Sequence, residues 1–205
     1  MSAVRTLVLA TGNAGKVKEF AALLAPLGWQ VHPQSAFNVP ECPEPHVTFI
    51  ENALAKARLA AQCTGLPALA DDSGLCVASL NGAPGVLSAR YACLDETTPK
   101  SDAANNAKLL RVLTDIDARQ AYFVCALVAV QSANDPEPLI AVGRWQGSIA
   151  TQASGAHGFG YDPLFVCGRH HRSAAEMDTA QKSSVSHRGQ AIAALLPLMQ
   201  SLWTQ

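Results

Sequence analysis

Residues 7–20 read LVLATGNAGKVKEF, an apolar run followed by a glycine-bracketed turn and a helix-forming stretch. The run predicts a buried strand over 7–10, and the spacing of later apolar residues predicts an amphipathic helix over 16–24. Such a turn points backbone N–H groups and the positive end of a helix dipole at one place, which suits an anion such as phosphate. The other interpretation is a tight strand-to-helix turn with a solvated Lys16.

The turn is not a Walker P-loop. That pattern needs four residues between its first glycine and the Gly-Lys pair, and then a Ser or Thr for magnesium. Here only two residues separate Gly12 from Gly15, and Val17 follows the lysine. A phosphate site at this turn is therefore of another kind.

Length and charge favour one domain that binds small ligands. The 205 residues fit a single domain over 1–205 with a substantial core. Because the chain has 15 basic and 16 acidic residues, it has no excess of positive charge with which to bind a nucleic-acid polymer. A bound nucleotide is therefore expected to be small and free.

Cysteine usage and hydropathy predict a soluble, cytoplasmic protein. The six cysteines are widely spaced without a Cys-x-x-Cys pair, which favours reduced core thiols over disulfides or zinc ligands. The N-terminal apolar run is too short for a signal peptide, and no run of about 18 apolar residues follows it. Membrane association is not expected.

Strand and helix patterns alternate early in the chain and a hairpin pattern appears later, which predicts an α/β fold with a mixed sheet. Thr48 to Glu51 has the pattern of a capping box before an alanine-rich helix that runs to about Cys63. The apolar run 68–70 predicts a short strand that ends at Asp71. Further predicted elements are a helix over 102–113, paired strands over 121–130 and 139–145, and a last helix over 189–203.

Two carboxylate pairs are candidates for chemistry. Asp71 and Asp72 follow a buried strand, where ligands bind in α/β sheets, and Glu41 and Glu44 lie on a proline-rich loop. Carboxylates combined with substrate phosphates suit Mg²⁺, which takes only one or two protein ligands. Since neighbouring side chains on a strand face opposite ways, only one aspartate is expected to face a given site. The alternatives are a capped turn and solvated glutamates.

A glycine-rich segment and a serine-rich segment occur late in the chain. The first, GAHGFGYDP over 155–163, lets the backbone approach a flat ligand while an aromatic ring stacks on it. The second, KSSVSHRG over 182–189, combines cations and hydroxyls beside a helix start and suits phosphate or base recognition. The alternatives are a glycine-rich hairpin and a solvated loop. The nearby RHHR over 169–172 is predicted to be a solvated turn.

Six stretches, spread in order over nearly the whole chain, resemble the non-canonical purine nucleoside triphosphate pyrophosphatases, also called inosine/xanthosine triphosphate pyrophosphatases. Each stretch alone is weak, but the six in sequence are specific. Two positions depart from many relatives, since Pro43 replaces the first of two glutamates and His157 replaces a glycine. The six stretches are LATGNAGKVKEF, TFIENALAKAR, ALADDSGL, GAPGVLSARY, GFGYDPLF and SHRGQA.

The resemblance implies a two-lobed α/β fold, with a long mixed sheet flanked by helices, an active-site cleft between the lobes, and a homodimer. It also implies Mg²⁺-dependent hydrolysis of free ITP, dITP, XTP and dXTP to the nucleoside monophosphate and pyrophosphate. Such an activity removes deaminated purines from the nucleotide pool.

The resemblance also assigns roles to individual residues. Asp72 would accept a proton from water and would ligate magnesium together with Glu44, with Glu41 as the alternative to Glu44. Phe159 would stack on the base, while His187 and Arg188 would read its 6-oxo group. The implied substrate-binding residues are Thr11, Gly12, Asn13, Ala14, Gly15, Lys16, Lys56, Ser73, Phe159, Gly160, Tyr161, Asp162, Lys182, His187 and Arg188.

Three other functions compete with this interpretation. One is a pyrophosphatase for modified pyrimidine or methylated nucleotides, which a nucleotide panel distinguishes by base preference. Another is a nucleotide sensor without turnover, and the presence of Asp72 and Lys16 counts against it. The third is a structural α/β protein in which the same stretches are only turns.

Overall fold

The computed structural model describes residues 5–12, 14–93 and 99–203, and six strands within them form one mixed sheet. The order across the sheet is β2-β1-β3-β4-β5-β6. β1 runs parallel to β2 and β3, whereas β5 and β6 are antiparallel. The predicted α/β fold with a mixed sheet is therefore confirmed. The strands are β1 (Arg5–Leu9), β2 (Trp29–Pro33), β3 (Ala68–Val77), β4 (Gln120–Val130), β5 (Leu139–Ile149) and β6 (Phe165–Cys167).

Within these same ranges, five α-helices accompany the sheet, and short 3₁₀ turns join several elements. Each predicted long helix is present, and the last one continues through Pro197 without interruption. No helix in the described ranges is long and apolar enough to cross a membrane. The helices are α1 (Ala14–Leu24), α2 (Phe49–Thr64), α3 (Asp102–Val112), α4 (Thr179–Val185) and α5 (His187–Trp203).

The chain divides into two compact units, of which the first comprises Met1–Asp72, Ala126–Val142 and Ala191–Gln205. Its core joins buried strand residues such as Val8 to a row of buried alanines on α2, for example Ala53 and Ala57. Alanine suits this position because its small side chain favours helix and lets the helix backbone lie close to the sheet. α2 starts at the Thr48 cap, which accepts a hydrogen bond from the Glu51 N–H at 3.2 Å.

The second unit comprises Ser73–Cys125 and Gly143–Gln190, and aromatic rings fill its core. The Phe123 ring lies 4.6 Å from that of Phe165, and Trp145 lies 5.0 Å from Phe165, measured between centroids. The Trp145 indole N–H donates to the Cys167 sulfur at 3.2 Å. Such tilted ring pairs stabilise a core beyond the area that they bury.

Two predicted boundaries are wrong. The third strand does not end at Asp71 but continues to Val77, and Leu75 and Val77 are fully buried. Charged residues can occupy the middle of this strand because lysines pair with both aspartates. The last helix begins at His187 and not at Gly189, and Lys182 lies on α4, so the alternative of a solvated loop over 182–189 is wrong as well.

The cysteines are free thiols, as predicted, but only three of the six lie in the core. All six cysteines are free, and Cys76, Cys125 and Cys167 are buried. Cys63 is exposed, because it lies near the solvent-facing end of α2, and the other two are half-buried.

Candidate active site

The glycine turn after β1 opens onto a cavity of about 190 Å³ in the first unit. Thr11, Gly12 and Lys16 line it, and a side chain added at Gly12 would meet nothing within 4 Å. Gly15 lies in the first turn of α1, and the backbone of Ala14 is helical. Asn13 lies outside the described residues. The turn therefore presents a helix start to an open space, as the sequence predicts.

Lys16 is fixed by Asp71 rather than solvated. Its Nζ donates to both carboxylate oxygens of Asp71, at 2.7 and 2.9 Å, and the Asp71 side chain is almost fully buried. The alternative interpretation of a solvated lysine is therefore wrong.

A second lysine joins the two carboxylates that the resemblance assigns to the metal. Lys56 Nζ donates to Asp72 Oδ1 at 2.9 Å and forms an ion pair with Glu44. It also lies 3.4 Å from the Asp71 carbonyl oxygen. Glu44, Lys56 and Asp72, which we call the carboxylate cluster, come from a loop, a helix and a strand that are well separated in sequence.

Burial and charge set the ionisation of the carboxylate cluster. Burial raises the pKa of Asp72 above its usual range, and the nearby Lys56 ammonium opposes this effect without cancelling it. Burial lowers the pKa of Lys56, but the Asp72 and Glu44 carboxylates outweigh it and the net pKa is raised. A carboxylate with a raised pKa is the better proton acceptor near neutral pH.

Glu41 and Glu44 both line the cavity, but only Glu44 joins the carboxylate cluster. No hydrogen bond or ion pair links Glu41 to another residue in the described part of the chain. The structure thus brings Glu44, and not Glu41, to the Lys56 ammonium that Asp72 also contacts.

The sequence reasoning missed Asn52, which is buried on α2 one turn before Lys56. Its amide nitrogen donates to the His46 carbonyl at 3.2 Å and to Asp72 Oδ2 at 3.4 Å. Its oxygen accepts from the His46 N–H at 3.1 Å. Asn52 thus ties the proline-rich loop to Asp72, and the spacing of four between Asn52 and Lys56 was the only signal of this role.

The predicted base-binding residues lie in the second unit, around the Phe159 ring. That ring is 55% exposed, and Lys182 Nζ and Arg188 Cζ lie 5.2 and 5.9 Å from its centroid. Asp162 is buried, forms an ion pair with Lys182 and accepts from the Phe159 N–H at 2.8 Å. Two cationic side chains, those of Lys182 and Arg188, therefore lie beside one exposed aromatic ring. Ser73 lies on β3 at the start of this unit.

His187 and Arg188 open α5, and both are buried. The His187 ring stacks on Phe123, with centroids 4.8 Å apart and planes 16° apart. Arg188 Nε is buried without a hydrogen-bond partner among the residues described. An unpaired buried donor of this kind is rare in folded proteins, and this one is available to a ligand acceptor.

Tyr161 is a core residue, 3% exposed, whose hydroxyl donates to the Ser88 carbonyl at 2.9 Å. Burial raises the pKa of this phenol. Gly160 is half-buried beside it and has a φ of +62°. His157 lies where the resemblance leads us to expect a glycine, but its φ is not positive, so a side chain is accommodated.

Known proteins resemble this chain over most of its length. The chain matches the model of the Ham1 family over residues 7–198. The dITP/XTP pyrophosphatases of Chromobacterium violaceum and Ralstonia nicotianae are 57% and 55% identical to it, over 96% and 94% of this chain and 98% and 96% of theirs. The solved HAM1 protein from Coxiella burnetii superposes with a TM-score of 0.90 at 46% identity, over 95% of this chain and 98% of that one. This chain belongs to the Ham1 family.

Proposed function

We propose that this chain hydrolyses the non-canonical purine nucleotides ITP, dITP, XTP and dXTP to the nucleoside monophosphate and pyrophosphate. Relatives that are more than half identical to it are named dITP/XTP pyrophosphatases. The observation that carries the proposal is the carboxylate cluster, in which Lys56 contacts both Glu44 and Asp72 and lines the same cavity as the glycine turn.

In this proposal the first unit binds the triphosphate. The start of α1 offers backbone N–H groups, and Lys16 and Lys56 supply positive charge at the cavity. Preorganised donors of this kind stabilise the negative charge that develops on the leaving pyrophosphate. The residues assigned to the phosphates are Thr11, Gly12, Asn13, Ala14, Gly15, Lys16 and Lys56.

Asp72 is the proposed proton acceptor. A water oxygen forms a bond to the α-phosphorus while the bond from that phosphorus to the pyrophosphate oxygen breaks. The proton of the water passes to Asp72, whose fixed position suits this role. Asn52 and Lys56 hold the carboxylate during the step.

Magnesium is the proposed cofactor, with Asp72 and Glu44 as its protein ligands. The donor set fits, because a single cation, the Lys56 ammonium, already contacts both carboxylates. The described residues contain no group of three or more His, Cys, Asp or Glu side chains placed to hold a metal, and Mg²⁺ needs only one or two carboxylates when substrate phosphates complete its shell. When bound, the ion would acidify water and neutralise phosphate charge.

The second unit is proposed to bind the base. The exposed Phe159 ring offers a stacking face, and the buried Arg188 offers a donor for the 6-oxo group of hypoxanthine or xanthine. Adenine carries an amino donor at that position, so ATP would place donor against donor and be rejected. The residues assigned to the nucleoside are Ser73, Phe159, Gly160, Tyr161, Asp162, Lys182, His187 and Arg188, with Tyr161 acting through its main chain.

We also propose that the protein is a cytoplasmic homodimer that acts on free nucleotides and not on nucleic-acid polymers or membranes. The formal net charge of −1 supports the absence of a polymer partner. Light scattering after size-exclusion chromatography tests the dimer.

The test of the activity is pyrophosphate release from ITP, dITP, XTP, GTP, ATP and dUTP, with Mg²⁺ and with EDTA. Asp72→Asn is measured beside Asp115→Asn, an exposed aspartate with no described side-chain contact. We expect Mg²⁺-dependent release confined to ITP, dITP and XTP. Loss of the proton acceptor should slow it about 100-fold or more, while the control keeps wild-type activity.

Three results would contradict the proposal in different ways. A preference for dUTP would indicate a pyrimidine-directed pyrophosphatase. Tight ITP binding without release would indicate a sensor. Normal turnover by Asp72→Asn would remove that residue from the chemistry.

A further inference from the structure

The main chain of Gly160, next to the exposed Phe159 ring, is held by two side chains of α3. Asp102 Oδ2 accepts from the Gly160 N–H at 2.6 Å. Asn106 Nδ2 donates to the Gly160 carbonyl oxygen at 2.9 Å. Because Asp102 and Asn106 are four residues apart on one helix, they share a face. We call these two residues the Gly160 clamp.

Side-chain hydrogen bonds hold the main chain of Phe159 and of Gly160, the residue that follows it. Asp162 accepts from the Phe159 N–H at 2.8 Å, and the clamp then fixes both polar groups of the next residue. The surrounding residues 151–164 form turns and bends with no helix or strand of their own. Main-chain hydrogen bonds, such as the one from the His157 N–H to the Ala175 carbonyl, also hold this segment, and the clamp adds side-chain bonds at Gly160.

Neither clamp residue caps its own helix, although Asp102 also places a negative charge in the first turn of α3. The cap of α3 is Ser101, which accepts from the Ala104 N–H at 3.3 Å. The neighbouring Asn105 ties the helix to the main chain of Ser88, Ala89 and Ala92. Asp102 and Asn106 therefore contribute side-chain contacts that serve the segment around Phe159.

Asn106 also keeps an orientation that leaves one of its own atoms unsatisfied. Its Oδ1 is buried and has no hydrogen-bond partner within the described ranges. Turning the amide over would place that oxygen against the Gly160 carbonyl oxygen, acceptor against acceptor. The donor orientation is thus fixed by Gly160.

We infer that Asp102 and Asn106 are positioning residues for the purine base, since they fix the height and direction of the Phe159 ring. The inference rests on the proposed function, in which Phe159 stacks on the base. The contacts of the clamp lie in the second unit, whereas the residues assigned to the phosphates lie in the first. Losing the clamp should therefore weaken base binding and leave phosphate binding unchanged.

The test compares Asp102→Ala, Asp102→Asn and Asn106→Ala with Arg111→Ala, an exposed residue of α3 whose guanidinium has no partner in the described part of the chain. Three quantities are measured, namely KM and kcat for ITP, the Kd for IMP, and the Kd for inorganic tripolyphosphate. For both alanine variants of the clamp we expect KM and the IMP Kd to rise about 5- to 30-fold, the effect of one lost hydrogen bond to a charged or buried group. kcat and the tripolyphosphate Kd should stay within about twofold of wild type, and Asp102→Asn, which keeps an acceptor, should regain most of the affinity.

Adding Phe159→Ala to each clamp variant separates positioning from a general structural role. If the clamp acts through the ring, the double variant should bind IMP no more weakly than Phe159→Ala alone. Losses that simply add, or clamp variants that bind IMP as wild type does, would overturn the inference. If Asp102→Ala fails to fold, Asn106→Ala carries the same comparison.

A failure of the proposed function would look different from a failure of the inference. In that case the wild-type protein would release no pyrophosphate from any nucleotide. The IMP and tripolyphosphate titrations would still decide whether the clamp controls base binding.

Discussion

Arg188 is the residue from which we expect the clearest effect on base selection. Its Nε is buried without a partner among the described residues, and its guanidinium lies 5.9 Å from the Phe159 ring. Arg188→Ala should lower kcat/KM for ITP by roughly 10- to 100-fold, because a hydrogen bond to a charged donor is lost. The value for ATP should fall much less, since adenine offers that donor no acceptor.

The matched control is Arg169→Ala, which removes an exposed arginine of the predicted solvated turn. It should leave both values near wild type. An equal loss for ITP and ATP in Arg188→Ala would mean that this residue contacts the phosphates instead of the base.

Among individual residues, the sequence identified the charged side chains of the candidate site better than the amide side chain of Asn52. The lysines and aspartates stand in motifs whose chemistry is apparent from the letters alone, and the structure pairs Lys16 with Asp71 and Lys56 with Asp72. Asn52 sits in an alanine-rich helix, where a polar side chain normally indicates solvent. Its contacts with His46 and Asp72 depend on tertiary packing that no local pattern encodes.

Among the elements, the glycine-rich segment before β6 offers a matched pair of substitutions. Gly158 has a φ of +80°, and a Cβ there would lie 2.0 Å from Asp162 Oδ2. Gly160 also has a positive φ, but a Cβ there would meet nothing within 4 Å. Gly160→Ala should therefore lower the free energy of unfolding by about 1–2 kcal/mol, the cost of placing a residue with a Cβ in the left-handed backbone conformation.

Gly158→Ala should lower the free energy of unfolding by more than Gly160→Ala does and should also raise KM for ITP. The added methyl displaces Asp162, which holds both Phe159 and Lys182. Urea unfolding and steady-state kinetics measure the two effects. Equal stability losses would show that the displaced carboxylate does not matter to the segment.

The elements whose apolar pattern is strong were predicted nearly to the residue, as α3 and β4 illustrate. β3 was predicted too short because two adjacent aspartates normally end a strand. Lysines from elsewhere in the chain neutralise them and allow the strand to continue. α4 was missed because its serines favour turns over helix in isolation.

For the molecule as a whole, the end of the last helix stabilises the first unit. The Trp203 ring packs edge-on against Trp29 at 5.7 Å, and Arg5 lies over Trp29 and donates to the Trp203 carbonyl oxygen. Trp203→Ala should lower the free energy of unfolding by about 3–5 kcal/mol, because it removes a large buried side chain. kcat should not change, since these contacts include no residue assigned to the substrate.

Leu202→Ala is the control, since Leu202 is 49% exposed and should change stability by about 0.5 kcal/mol or less. Urea unfolding followed by circular dichroism measures both variants without relying on tryptophan emission. A small loss for Trp203→Ala would mean that the helix end frays and does not support the unit.

The charge of the cavity beside the glycine turn bears on whether the free nucleotide or its metal complex binds there. The described residues that line the cavity include three carboxylates and two lysines, and Lys56 also contacts a fourth carboxylate, that of Asp72. The five lining residues are Glu41, Glu44, Asp71, Lys16 and Lys56. A free triphosphate would meet an excess of its own sign, whereas a nucleotide that already carries a divalent ion is closer to neutral. The metal–nucleotide complex is therefore the expected true substrate, and at a fixed total nucleotide concentration the initial rate should follow the concentration of that complex.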